Sequence, residues 1–130
     1  MEILQPPGWP PPKGYVNGIA ASGRLVFVSG MVGWSERGEF ESDALPDQVR
    51  QALKNAVTVL REAGASPEHV VRMTWYLKSC DEYRAATREI GEAYREVMGR
   101  HYPAMSVVEV SGLLETRAKI EIEVTAVIPA

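Results

Sequence analysis

Residues 46–63 carry their apolar side chains on one side only. Val49, Leu53, Ala56, Val57 and Leu60 follow the 3.6-residue period, with Ala52 and Ala63 on the same stripe. Gln48, Arg50, Lys54 and Arg61 fall on the opposite, wet side. Pro46 suits a first helical turn, Asp47 complements its dipole, and Gly64 stops the helix. A one-sided helix must lay its stripe on a sheet or another helix. The chain has 130 residues, which is enough for one core and too few for two.

The partners of that stripe follow. Val70 to Lys78 alternates, with Val71, Met73, Trp75 and Leu77 on one face and Arg72, Thr74, Tyr76 and Lys78 on the other. The period then returns to helical over residues 81–98, with Tyr83, Ala86, Ile90, Ala93, Tyr94 and Val97 as the stripe. Ser79 or Asp81 caps this helix and Gly99 ends it. Ala104 to Val110 and Ala118 to Ile128 read as strands; the last alternates Ile120, Ile122 and Val124 against Glu121, Glu123 and Thr125. Upstream, Val16 to Ala21 and Arg24 to Ser29 read as a hairpin turned at Ser22-Gly23. Gly30, Gly33 and Gly38, with Trp34 between them, predict a loop.

The order β-β-α-β-α-β-β predicts an α+β fold: a mixed sheet with two helices on one face. The other face also carries apolar residues around Val26–Val28 and Val107–Val110, so association with further copies is expected to cover it. Residues 1–12 form a proline-rich arm, with five of the chain's nine prolines in residues 6–12. Proline fixes φ and lacks a donor, so this arm is neither helix nor central strand, and Trp9 is expected to anchor it on the domain of residues 13–130.

Composition narrows the function. Fourteen basic and seventeen acidic residues leave a net charge of −3, which disfavours a nucleic-acid partner. Apolar runs such as Leu25 to Val28 are far short of the roughly 20 residues that cross a bilayer, and no signal peptide is evident. The single cysteine, Cys80, makes no internal disulfide, so a cytoplasmic location is expected. His69 and His101 have no ligand-spaced Cys or His nearby, so no metal is expected. Gly30-Met31-Val32-Gly33 lacks the length and the Lys-Ser/Thr of a phosphate loop. Tyr15, Ser29, Trp34 and Glu121 stand beside glycines or on strands, and Tyr94 on the second helical stripe; these are the polar or aromatic candidates. Glu121, within an apolar strand, is either a charge on a wet face or a general base toward water.

The chain resembles the RidA (YjgF) family from Lys13 to its end. The resemblance rests on Gly14-Tyr15, Leu25-Val26-Phe27-Val28-Ser29-Gly30, Gln48-x-x-Gln51-Ala52-Leu53-x-Asn55 and Val70-Val71-Arg72-Met73-Thr74. Tyr102-Pro103-Ala104, Val108-Glu109-Val110 and Lys119-Ile120-Glu121-Ile122-Glu123 complete it. It implies a chorismate-mutase-like fold, a homotrimer with a central barrel of sheets, and small-molecule clefts between subunits. It implies hydrolysis of enamines and imines to 2-oxo acids and ammonia, with no cofactor. By resemblance, Tyr15, Ser29, Gly30 and Glu121 line the cleft, Glu121 as general base. Met105 stands where the resemblance implies a substrate-binding arginine, Met31 where it implies glutamine, and Val107 where it implies cysteine. Methionine offers no charge and no donor. The cleft, with Met31, Trp34, Met105 and Val107 in it, is therefore expected to be more apolar, and Arg117 or Lys119 is a candidate replacement cation. A deaminase of altered specificity and a non-catalytic metabolite-binding protein are both compatible with these residues.

Overall fold

The computed structural model describes all residues from Met1 to Ala130. Ten short segments build it. They are β1 (Glu2–Ile3), β2 (Ile19–Ala20), β3 (Arg24–Val32), α1 (Leu45–Glu62), a 3-10 turn (Pro67–His69), β4 (Val70–Leu77), α2 (Cys80–Ala85), α3 (Thr87–Met98), β5 (Ala104–Glu109) and β6 (Ile120–Ile128).

The main sheet has the order β3-β6-β4-β5 and is mixed: β6 is antiparallel to both neighbours, while β5 runs parallel to β4. A parallel pair needs a long crossover, and α2 and α3 supply it. The helices lie on one face, as expected, with α1 packed on β3, β6 and α3. Val49, Ala52, Leu53, Ala56, Val57 and Leu60 of α1 are buried in one cluster with Val28 of β3 and Ile120, Ile122, Val124 and Ala126 of β6, and Met73, Trp75 and Leu77 of β4 continue it. Each full burial of a leucine- or valine-sized side chain contributes about 1.5–3 kcal/mol, so this seam is the main source of stability.

Several expectations are corrected. There is no 16–29 hairpin: β2 pairs with β1, and Gly23 instead marks a close approach to the end of β6. At φ +144°, a Cβ on Gly23 would lie 2.1 Å from the Ile128 carbonyl oxygen. β3 runs on through Gly30 to Val32, its register shifting between Val28 and Met31, where the glycines had predicted a loop. A register shift at Val70/Arg72 makes Val70, rather than Val71, the fully buried first residue of β4. The single predicted 81–98 helix is two, broken at Ala86 with φ −127° and ψ 22°; Ser79 caps the first by accepting from the Glu82 amide. Gln48 is buried, not wet. Trp9 is exposed; the arm is held by the β1–β2 pair and by Leu4, whose amide donates to the Gly18 carbonyl.

The open face is mixed rather than apolar. Leu25, Phe27 and Val108 are exposed toward its edges, but Glu121, Glu123, Thr125, Thr74 and Tyr76 occupy its middle. No helix of the structure is long and apolar enough to cross a membrane.

Candidate functional site

Tyr15 reaches the sheet through its neighbour. The Val16 amide donates to the Pro103 carbonyl at 3.1 Å, and Val16 bridges Ala104 in parallel. Gly14, at φ +79°, makes the turn that a larger residue would resist. Met105 and Val107 on β5 are in register with Met73 and Trp75, so both point to the helix side. Where α2 and α3 break, the sheet edge is left uncovered. A cavity of about 480 Å³ opens there, lined by Lys13, Gly14, Tyr15, Trp75, Tyr83, Thr87, Ile90, Gly91, Tyr94, Arg95, Tyr102, Met105 and Val107.

The walls are aromatic. Tyr94 and Tyr102 stack at 5.3 Å and 10°; Trp75 lies 6.3 Å from Tyr94 and edge-on to Tyr83 at 6.4 Å. Burial pushes the Tyr83 phenol up and holds Tyr94 far above the ordinary tyrosine range, so both stay neutral. The Tyr94 hydroxyl donates to the His101 carbonyl. The indole N–H of Trp75 is buried with no acceptor.

Three of the predicted residues, Tyr15, Met105 and Val107, therefore share one cavity. Ser29, Gly30 and Glu121 form a second group at the β3–β6 pair. There the Glu121 carboxylate lies directly over Gly30, where an added Cβ would be 2.5 Å from Oε2. Glu121 is in register with Tyr76 and points to the open face, away from Met105. Met31 packs on the core opposite Ile122. Trp34 is in neither group: its carbonyl accepts from Asn55 Nδ2, and its ring tilts on Phe40 at 5.8 Å.

The two cations offered as replacements are engaged elsewhere. Arg117 Nη2 pairs with Asp43 at 2.8 Å, which holds that carboxyl below the usual range, and its guanidinium stands over Phe40. Lys119 Nζ pairs with Glu82 at 2.8 Å. The cations that do line the cavity, Lys13 and Arg95, were not singled out by sequence. Both histidines serve the backbone: His69 Nδ1 accepts from the Ser66 amide, and His101 Nε2 donates to the Val70 carbonyl.

Residues 9–128 match the family model described as Endoribonuclease L-PSP. The chain belongs to the RidA/YjgF family. It is 32% identical to a RutC family protein of Pyrococcus horikoshii over 126 residues, covering 96% of each chain. It is 35% identical to the chloroplastic Reactive Intermediate Deaminase A of Arabidopsis thaliana over 113 residues, 86% of this chain and 57% of that one. Among solved structures, the Rid family protein YyfB of Yersinia pestis superposes with a TM-score of 0.84 at 31% identity, covering 98% of both chains. The α+β fold with its four-stranded mixed sheet is thus the RidA fold. The helix motif of this RidA-family chain also acquires a physical meaning. Gln51 Nε2 donates to Asn55 Oδ1, and Asn55 Nδ2 donates to the Val32 and Trp34 carbonyls, clamping the end of β3 to α1.

Proposed function

We propose that this protein binds a small metabolite in the cavity beside Met105, at a cleft completed by a neighbouring copy in a homotrimer, and hydrolyses an enamine or imine there with altered specificity. The observation that carries the reading is the shared cavity of Tyr15, Met105 and Val107, walled by aromatic rings. The name of the Arabidopsis relative supplies the reaction class. Met105 replaces the arginine implied by resemblance, so a small 2-imino acid loses the fork that would hold its carboxylate.

In the reaction, water adds to the C=N carbon, and Glu121 accepts a proton from it and returns it to the nitrogen; the proton of the new hydroxyl then passes to the nitrogen as the C–N bond breaks, releasing ammonia and the carbonyl product. Within one chain Glu121 is two strands across from Met105 and three residues further along, roughly 14 Å, and on the opposite face. A second copy therefore has to bring Ser29, Gly30 and Glu121 to the mouth of the cavity. That separation also favours a second reading, a binding protein without turnover.

The assay couples a threonine dehydratase to this protein and follows 2-oxobutanoate release above the spontaneous rate. Little acceleration is expected from the native chain, and partial recovery from Met105→Arg. Strong native activity would overturn the role given to Met105. Inactivity of both chains would favour binding without turnover.

A further inference from the structure

We propose that the cavity takes an aromatic carboxylate, with Arg95 as the partner of the carboxylate and the tyrosine walls as the seat of the ring. This rests on the metabolite-binding reading and names its ligand class.

Charge comes first. Among the lining residues are Lys13 and Arg95 and not one Asp or Glu, in a chain whose net charge is −3. Lys13 and Arg95 are among the eight of the chain's fourteen cations that form no ion pair, and of those eight they are the two that line this cavity. Two unpaired cations over a partly apolar cavity attract an anion.

Arg95 is also given room. Its Nη1 lies 3.2 Å from where a Cβ on Gly91 would stand. Glycine within a helix is otherwise unfavourable, and here it leaves the space across which the guanidinium lies. A planar guanidinium with its donors free is suited to a carboxylate.

The walls then set the rest of the ligand. Tyr94 and Tyr102 stack, and Trp75 and Tyr83 meet edge to face. Aromatic surfaces gain most from another ring, and a cavity of about 480 Å³ is ample for one, whereas a three- or four-carbon acid would leave most of it wet.

Titration calorimetry on the full protein tests this with three probes: phenylacetate, butanoate and benzyl alcohol. The Trp75 indole resonance, assigned with Trp75→Phe, reports occupancy of the cavity. Phenylacetate is expected to bind and shift that resonance, with the other two at least about tenfold weaker, and Arg95→Gln is expected to weaken phenylacetate about tenfold or more while Arg95→Lys retains part of the affinity. Arg95 is exposed, so its variants are expected to fold, which a melting curve verifies. Undiminished binding by Arg95→Gln overturns the proposal. Equal binding of all three probes also overturns it, yet leaves a metabolite cavity in place. Silence of all three overturns it as well, and the broader reading is then decided by the deaminase assay alone.

Discussion

The Glu121 carboxylate occupies the space that a side chain at Gly30 would fill, and the Gln48 backbone does the same at Gly33. The two glycines differ in what would have to yield. At Gly30 the obstacle is a flexible side chain, with Oε2 at 2.5 Å and Cδ at 2.7 Å from an added Cβ. At Gly33 it is the Gln48 carbonyl oxygen at 2.6 Å and its Cα at 2.7 Å.

Gly30→Ala is therefore expected to displace Glu121 at a cost of about 1 kcal/mol or less, while Gly33→Ala prises β3 from α1 at about 2–4 kcal/mol. Urea denaturation of both variants checks the order. Equal losses would contradict it.

Gln48 predicts a larger loss than its place in the helix pattern suggests. Its Nε2 donates to the Ser42 and Arg117 carbonyls, and its Oε1 accepts from the Lys119 amide. Gln48→Leu keeps the volume but leaves three part-buried backbone groups without their amide partner, for an expected loss of about 1–3 kcal/mol. A change below about 0.5 kcal/mol in the denaturation midpoint analysis would show that water replaces the amide.

Tyr76 sets a prediction at alkaline pH. Its hydroxyl donates to Glu123 Oε1 at 2.7 Å, and this bond, with the nearby carboxylates, pushes the phenol above its ordinary value of 10.0. A raised value means the folded state holds the proton more tightly. The contribution is complete below the ordinary value and is lost as pH rises through the raised one. The ring-carbon shift of Tyr76 should titrate above 10.0, and Glu123→Gln should bring it back down. An unchanged titration in the variant would remove Glu123 as the cause.

A homotrimer is expected in solution, closed over the open sheet face. Phe27 is 72% exposed and Leu25 55% exposed on that face. Sedimentation equilibrium should return three times the 14.3 kDa chain, and Phe27→Arg should shift the mass toward one. A monomer mass for the native chain at micromolar concentration would defeat this.

Elements with a single strong period were legible in the sequence. The α1 stripe and the alternation of β6 appear where the spacing put them, because burial on one face leaves an unmistakable repeat. Breaks within a period were not legible. Tyr83, Ala86 and Ile90 keep helical spacing across a helix that ends at Ala85, and no Pro or Gly marks the junction. Gly23 looks the same to a reader of turns whether it closes a hairpin or lets two backbones touch. Arg95 was overlooked because it lies beside the buried stripe, next to Tyr94, where a charged residue ordinarily means solvent. The clue was Gly91, four residues earlier and one turn away.

The break at Ala86 makes one wall of the cavity a detachable panel. The six residues of α2 bury no side chain fully; they hang from the Ser79 cap, the Cys80 amide on Glu109 and the Glu82–Lys119 pair. Tyr83 rides on this panel, while Tyr94 and Arg95 belong to α3, which is riveted to α1. Width and chemistry of the opening can thus drift by exchanging Asp81, Arg84 and Ala85, which face solvent, while Cys80, Tyr83 and Ala86 stay packed against the core. A scaffold divided this way points protein engineers to the exposed positions of residues 81–85 as the first place to randomise, with Tyr83 held fixed.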